Sequence, residues 1–358
     1  MVKGGFDALI PFVAMILSSN RGVGFLSLDM LCIAKRNTKV LNKLNMEKWI
    51  AEYVDKLFPI DRKFVDINAA YRIKAEHTPT KLYKFRGVAD YAFKNFENDN
   101  LSLSEASKFN DPFECALNVV SKHYFFKKLR NTFSEAIIGN EHFSDEEIEK
   151  MKVCPKNEFY EIIENRSELF SKYPKGTLKL VNESFIGSFC DYVNNSFCER
   201  NISNMYICSL SETNESSAMW AHYADEFRGF CLEYDFSKIL WAQLWCFLNP
   251  VIYTNVIPDF SEYFANRNNF NNLISVYAAM IKAKDWSYEH EWRLIIPSGR
   301  KESGYFLVNA PKPRALYLGL CISKELEDKL VELAKRKDIK VFKMIRPSST
   351  FKIEFKEV

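Results

Sequence analysis

The sequence predicts an α+β fold. Two observations carry this: stretches of period-two alternation and of helical spacing are interleaved along the chain, and they follow no strict strand–helix–strand rhythm. A doubly wound parallel sheet needs that rhythm, so a mixed or antiparallel sheet with helices attached is expected instead. With 358 residues, 47% of them hydrophobic, the chain is long enough to bury a sizeable core. Gly and Pro are scarce at 12 each, which sets it apart from disordered chains.

Residues 1–78 read as a mostly helical extension. The opening Phe6-Asp-Ala-Leu-Ile-Pro-Phe-Val-Ala-Met-Ile-Leu17 looks like a secretory segment, but Asp7 and Pro11 interrupt it and no small-x-small cleavage site follows. It is expected to pack as a helix against the body of the protein or a partner. Trp49, Ile50, Tyr53, Val54 and Leu57 stand at helical spacing, and Pro59 ends that helix. Thr78-Pro-Thr80 marks a boundary, and the main domain is expected over 79–358.

Within that domain Leu82-Tyr-Lys-Phe-Arg86 alternates as a strand, with a helix after it over Tyr91 to Phe96. Asn110-Asp-Pro-Phe113 is a turn, because the residue before proline is pushed away from helical angles. A helical insert is expected over about 114–203. Ser144-Asp-Glu-Glu147 has the spacing of a capping box, and Leu178, Val181, Phe185, Phe189, Val193 and Phe197 form a long apolar stripe of the core kind. Strands are expected at Met205–Ser211, Gly229–Tyr234, Val251–Tyr253, Trp292–Ile296, Ala315–Leu318, Val341–Ile345 and Phe351–Phe355. Helices are expected over 261–284 and after the cap Ser323, and a short one within Asn214–Ala224.

A net charge of only +3 gives no global electrostatic argument for a nucleic-acid binder, although a local patch stays open. The nine cysteines form no C-x-x-C pair, and their odd number does not suit a closed disulfide framework. A reducing, cytoplasmic setting is the simpler expectation. Cys190 and Cys198 read as small buried hydrophobes, and no metal site is expected. No segment reaches membrane-spanning length.

Chemistry concentrates in Trp286-Ser-Tyr-Glu-His-Glu-Trp-Arg-Leu-Ile-Ile-Pro297. On a strand Glu289 and Glu291 would share one face while His290 and Trp292 take the other. Paired carboxylates suit a reaction in which one stabilises positive charge on a sugar and the other activates a nucleophile. The bland alternative is a strand edge with two solvated charges. Met219-Trp-Ala-His-Tyr-Ala224 gathers Trp220, His222 and Tyr223 after a polar loop, which suits a flat ring ligand or, equally, a helix docked into the core. Arg86 on its strand could hold a phosphate bidentately or pair with a surface carboxylate. Ser209 and Ser211 share one strand face, where hydroxyls could orient a carboxylate or bind ribose.

Leu82-Tyr-Lys-Phe-Arg86, Phe109-Asn-Asp-Pro-Phe113, Cys208-Ser-Leu-Ser211, Met219-Trp-Ala-His-Tyr-Ala224 and Trp286-Ser-Tyr-Glu-His-Glu-Trp-Arg293 together resemble a widespread bacterial family known only as a domain of unknown function, family 2971. The resemblance spans about residues 81–320 and carries little functional knowledge. More loosely, the chain resembles the arginine, serine, glutamate class of ADP-ribosyltransferases. That second resemblance implies a split β-sheet core with NAD as donor substrate in its cleft. Arg86 would then hold the NAD phosphates, with Tyr83 or Tyr223 stacked on nicotinamide and Ser209 or Ser211 orienting the site. Trp220, His222, Asn110 and Asp111 would complete the binding wall. Glu291 would stabilise the ribosyl cation, and Glu289 would activate an acceptor that is protein, nucleic acid or a small molecule. The class has Ser-Thr-Ser where this chain has Ser-Leu-Ser, and Arg293 follows the acidic pair as a second candidate for the phosphate. By analogy, consumption of NAD fits a bacterial toxin or an anti-phage effector. Two other readings stand beside it. One is a metal-dependent nuclease built on Asp111, Glu289 and Glu291 with Lys282 or Lys284. The other is a non-catalytic nucleotide sensor read out through the N-terminal helices.

Overall fold

The structure, a computed structural model, describes residues 46–139, 141–166, 172–203, 205–237, 244–265, 269, 271–297 and 305–358. The apolar opening at 6–17 lies outside the described residues. The chain divides into two compact units. Among the described residues the smaller comprises Asn118–Phe197 with Asp259–Ala265. The larger holds the sheet and both described helices of the 1–78 stretch.

Those two helices are built into the larger unit's interior. In α1 (Lys48–Leu57) Ile50, Tyr53, Val54 and Leu57 are buried, and the Tyr53 hydroxyl donates to Asn249 Oδ1 at 2.7 Å. In α2 (Ile67–His77) Lys74 is fully buried, donating to the carbonyls of Trp245 (3.0 Å) and Leu248 (2.8 Å) with its ammonium over the Trp245 ring. A lysine so placed keeps hydrogen bonds that burial would otherwise remove.

Ten strands form one mostly antiparallel sheet. They include β1 (Leu82–Arg86), β2 (Asn100–Glu105), β3 (Met205–Ser211), β4 (Phe230–Tyr234) and β5 (Leu248–Pro250). A separate parallel pair follows in the chain, β6 (Ile252–Thr254) with β7 (Ile281–Ala283). The sheet continues with β8 (Glu291–Pro297), β9 (Tyr305–Asn309), β10 (Ala315–Leu318), β11 (Lys340–Ile345) and β12 (Glu354–Glu357). The order is β12-β11-β10-β4-β1-β3-β2-β9, with β8 beside β3 and β5 beside β8. Only β10 and β11 run parallel within it.

The sheet forks at β3. One edge of β3 pairs with β8 along its whole length, from Met205↔Pro297 to Ser211↔Glu291. The other edge is shared: β2 pairs with its start (Ile207↔Ser104) and β1 with its end (Ser211↔Tyr83). Two strands cannot occupy one edge at one place, so β1 and β2 diverge around Ser209. A single large core covers one face, containing Leu82, Leu103, Phe230, Leu232 and Leu294. Helices α3 (Asp90–Glu97) and α11 (Lys324–Arg336) contribute Ala92, Phe96, Leu330 and Leu333 to it. On the other face Tyr83, Phe85 and Tyr317 pack with Trp220 of α8 (Ser217–Tyr223).

In the smaller unit α4 (Lys122–Ala136), α5 (Asp145–Val153), α6 (Lys156–Arg166) and the start of α7 (Thr177–Ile202) enclose Phe126, Phe133, Met151, Phe159 and Leu178. Ser144 and Glu147 form the expected capping box, and Ser323 caps α11 as expected. The stripe expected on α7 is displaced. Leu178, Asn182, Ile186 and Cys190 are the buried line, while Phe185 and Phe189 remain 38% and 39% exposed and stack on each other. Asn182 tolerates burial because its amide donates to the Leu178 carbonyl one turn back.

The helix expected over 261–284 is interrupted. It resolves into α9 (Ser261–Ala265), α10 (Ile274–Ala279) and then strand β7. Asn271 explains part of this, since its side chain accepts the Leu273 amide and offers the backbone a turn in place of a helix. The last strand starts at Glu354 and not at Phe351, because its pairing begins opposite Ile345 and Phe351 lies fully in solvent.

Candidate active site

The fork in the sheet opens a cleft of about 880 Å³. On β1, Lys84 and Arg86 point to the opposite face from Phe85, whose ring packs on Trp220. Lys84 Nζ donates to the Ser209 carbonyl at 2.8 Å, at the stretch of β3 that neither β1 nor β2 pairs. Arg86 reaches across the fork, where its Nη1 donates to Ser102 Oγ of β2 at 3.2 Å. Its Nε and Nη2 are buried and have no partner, although the residue is 6% exposed and lines the cleft. The backbone position of Arg86 depends on Gly229, because a Cβ there would lie 2.0 Å from the Arg86 carbonyl oxygen.

The acidic pair meets the same cleft by a different route from the one expected. Glu289 closes a 3₁₀ turn over Lys284–Glu289, His290 takes a left-handed conformation (φ 45°, ψ 55°), and the strand begins only at Glu291. Period-two alternation therefore does not aim the two carboxylates. They converge because the turn folds Glu289 back, held by the Ser211 hydroxyl donating to the Glu289 carbonyl at 2.6 Å. Lys282, on β7, donates to Glu289 Oε2 and to Glu291 Oε2, the latter at 2.9 Å. The Tyr223 hydroxyl donates to Glu289 Oε1 at 2.7 Å.

Arg293 is spent internally. It is fully buried, and its Nε donates to Glu291 Oε1 at 2.8 Å while Nη1 and Nη2 clamp Glu114. Nη1 also bonds the Ala279 carbonyl at 2.6 Å, and Nη2 reaches Glu291 Oε2 at 3.2 Å. With every nitrogen engaged it offers nothing to a ligand, which leaves Arg86 as the cleft-lining arginine with unpartnered nitrogens.

These surroundings push the two carboxylates apart. Burial pushes Glu291 up, but Arg293 and Lys282 overrule it, and with the Ser209 hydroxyl they hold its acidity at about 2. Glu289 goes the other way: burial raises it, and Glu291 adds to the rise against the pull of Lys282. One carboxylate is thus fixed as an anion while its neighbour is primed to take a proton. The Glu291 amide is itself bonded to the Tyr253 hydroxyl at 2.9 Å.

Of the residues expected to form the site, Arg86, Tyr83, Ser209, Ser211, His222, Tyr223, Asn110, Glu289 and Glu291 all line the cleft. Tyr83 does so with its ring against Tyr317 and only 7% exposed, so Tyr223 is the better stacking surface. Ser211 is fully buried and ties down the turn, whereas the Ser209 hydroxyl bonds the Glu291 carboxylate. Two of the expected residues stand elsewhere. Trp220 is fully buried in the core with Nε1 donating to the Asn214 carbonyl at 2.7 Å, because its place on α8 faces the sheet and that of Tyr223 faces the cleft. Asp111 stays out of the cleft wall; its Oδ1 accepts the Phe113 amide within the Asp-Pro turn.

Sequence reasoning missed Glu114 and Tyr253, and named Lys282 only for a nuclease. The alternation of Asn100-Leu-Ser-Leu-Ser104 was the available signal for a strand presenting Ser102. In the structure Lys282 bridges the two carboxylates. Among the described residues no group of three or more His, Cys, Asp or Glu side chains is arranged to hold a metal ion.

Fold and site together define an α+β protein with a forked sheet, whose cleft holds an arginine with free donors and a carboxylate pair. A family model described as protein of unknown function (DUF2971) matches residues 219–294, from α8 through the acidic pair to β8. No curated protein and no solved structure matches it. Among the described residues no helix is long and apolar enough to cross a membrane.

Proposed function

We propose that the cleft binds NAD and transfers its ADP-ribosyl group, in the manner of an ADP-ribosyltransferase. One observation carries the reading: Arg86, almost wholly buried, keeps two unpartnered nitrogens in the same cleft as Glu289 and Glu291. Each buried donor left unsatisfied costs about 1–3 kcal/mol, and an anionic ligand removes that cost. A planar fork of this kind suits a phosphate.

Glu291, held ionised, stabilises positive charge on the nicotinamide ribose as the glycosidic bond lengthens. The bond from C1′ to the nicotinamide nitrogen breaks, and nicotinamide leaves with the bonding electron pair. An acceptor lone pair forms the new bond to C1′, and the acceptor proton passes to Glu289. Tyr223 keeps Glu289 oriented through its hydroxyl and lines the cleft wall, where its ring can stack on nicotinamide. Consumption of NAD suits a toxin or an anti-phage effector, and this reading supports that role.

The test is incubation of the whole protein with NAD labelled in the adenylate and in the nicotinamide, scoring nicotinamide release and macromolecular labelling. Glu291→Gln should slow release by about a hundredfold or more. Full activity in that variant removes Glu291 from the mechanism. Glu289→Gln should block transfer more than hydrolysis, since water needs less activation in the presence of a formed ribosyl cation. NAD binding without nicotinamide release by the wild type selects the sensor reading.

A further inference from the structure

We infer that the cleft takes single-stranded nucleic acid as its acceptor. The strand's role as acceptor rests on the proposed transfer, whereas its binding does not. Over the whole chain the net charge of +3 is slight, but the cleft is not balanced. Lys84, Arg86, Lys94, Lys108 and Lys282 line it. Against them stand only Glu289 and Glu291. Both carboxylates already bond Lys282, and Glu291 bonds Arg293 as well. A lysine- or arginine-bearing protein segment would enter against this field. A phosphodiester chain enters with it.

The mouth of the cleft adds the second element that single strands require. Tyr91 of α3 and Tyr305 of β9 are 60% and 57% exposed and line the same cleft as the exposed Lys94 and Lys108. Exposed aromatic rings interleaved with basic side chains give bases a stacking surface and the backbone a positive track. Asn98 and Asn110, also exposed, line the cleft too; the Asn98 amide spends one N–H on the Lys94 carbonyl at 2.9 Å and keeps its other N–H and its oxygen for a base edge. A duplex hides its bases in the stack, so the carboxylates deeper in the cleft can reach a base only when it is unpaired. At about 880 Å³ the cleft stands near the upper end of ordinary small-molecule sites, which leaves room for a base beside the donor. In the transfer a base nitrogen or oxygen lone pair bonds C1′, its proton passes to Glu289, and nicotinamide departs with the electrons of the broken bond.

Binding is measured first, without NAD, by fluorescence anisotropy of a labelled 20-nucleotide single strand on the full-length protein across a salt series. Failure of NAD cleavage therefore bears on the reaction, and failure of binding bears on this inference. The single strand should bind at least tenfold more tightly than a duplex of the same sequence. Lys94→Gln with Lys108→Gln should weaken binding at least tenfold and reduce the salt slope by about 1.4, the loss expected from two phosphate contacts on a single strand. Tyr91→Ala and Tyr305→Ala should each weaken it about fivefold or more with little change in slope. All four side chains are exposed, so these variants keep the wild-type thermal midpoint, which is checked alongside. Labelled NAD is then supplied with the same strand and with a basic protein in parallel. Label on the strand supports the inference. An absence of binding at 50 mM salt, binding indifferent to all the substitutions, or label on the basic protein with the strand unlabelled overturns it.

Discussion

Removal of Lys282 tests whether the acidic pair is held by charge. Its side chain and that of Glu289 are 6% and 3% exposed, and its ammonium bonds both carboxylates. At an effective dielectric constant near 20, each contact is worth roughly 6 kcal/mol before desolvation is counted. Breaking a buried pair from one side costs about 3–5 kcal/mol, so Lys282→Met should lose that much at pH 8. The loss should not be constant. Glu289 is already raised by burial and by Glu291, and loss of the ammonium raises it further. A carboxyl raised above its unfolded value contributes stability that is fully present below the unfolded value of 4.5 and lost as pH climbs through the folded one. The deficit of the variant should therefore shrink as pH falls, with a slope of at most about 1.4 kcal/mol per pH unit. Urea unfolding followed by tryptophan fluorescence at pH 5, 6, 7 and 8 measures it. A deficit equal at every pH, or none at pH 8, would refute the assignment of Lys282 as the group that keeps Glu289 charged.

Arg293→Met strands Glu114 and Glu291 without their shared cation and should destabilise the fold by about 3–5 kcal/mol, read as a drop in the urea midpoint. Gly229→Ala must displace the backbone at Arg86, since the new Cβ would sit 2.0 Å from its carbonyl oxygen; a loss of about 2 kcal/mol or more is expected, together with weaker binding of a phosphate-bearing ligand in calorimetry. Glu291 is depressed from 4.5 to about 2, so it contributes roughly 3 kcal/mol above pH 4.5 that is lost as pH falls towards 2. An acid titration followed by circular dichroism should show this limb in the wild type and a flatter one in Glu291→Gln.

What sequence could reveal here follows from the range of the interactions involved. Met205–Ser211 and Ala315–Leu318 were legible because branched and aromatic residues fill them, and the caps at Ser144 and Ser323 because capping is a contact within three residues. The fork left no local signal, since it depends on β1 and β2 competing for one edge of a strand about a hundred residues later or more. Arg86 and Arg293 are both strand arginines and look alike in sequence. They differ because Glu114, 179 residues from Arg293, consumes its fork while only Ser102 meets Arg86. Trp220 and Tyr223 lie within one turn of α8, and no local rule says which faces the sheet. The left-handed step at His290 was equally hidden: a non-glycine residue in that conformation is held by its surroundings, here by the Glu212 amide on its carbonyl and its own amide on Ser287.

The buried charges also explain why the site is arranged as it is. Glu114, Arg293, Glu291, Lys282 and Glu289 form a chain of alternating sign, each bonded to the next. Alternation offsets the desolvation of every interior member, because each has an opposite charge on two sides. The ends differ. Glu114 is clamped bidentately by the Arg293 guanidinium, whereas Glu289 shares Lys282 with Glu291 and has only the neutral Tyr223 hydroxyl beyond it. Three carboxylates against two cations leave one uncompensated negative charge, and it settles at the weakest-held end. That end lines the cleft. A proton arriving from a ligand there meets the single carboxylate in the chain that can accept it without undoing a salt bridge deeper in the fold.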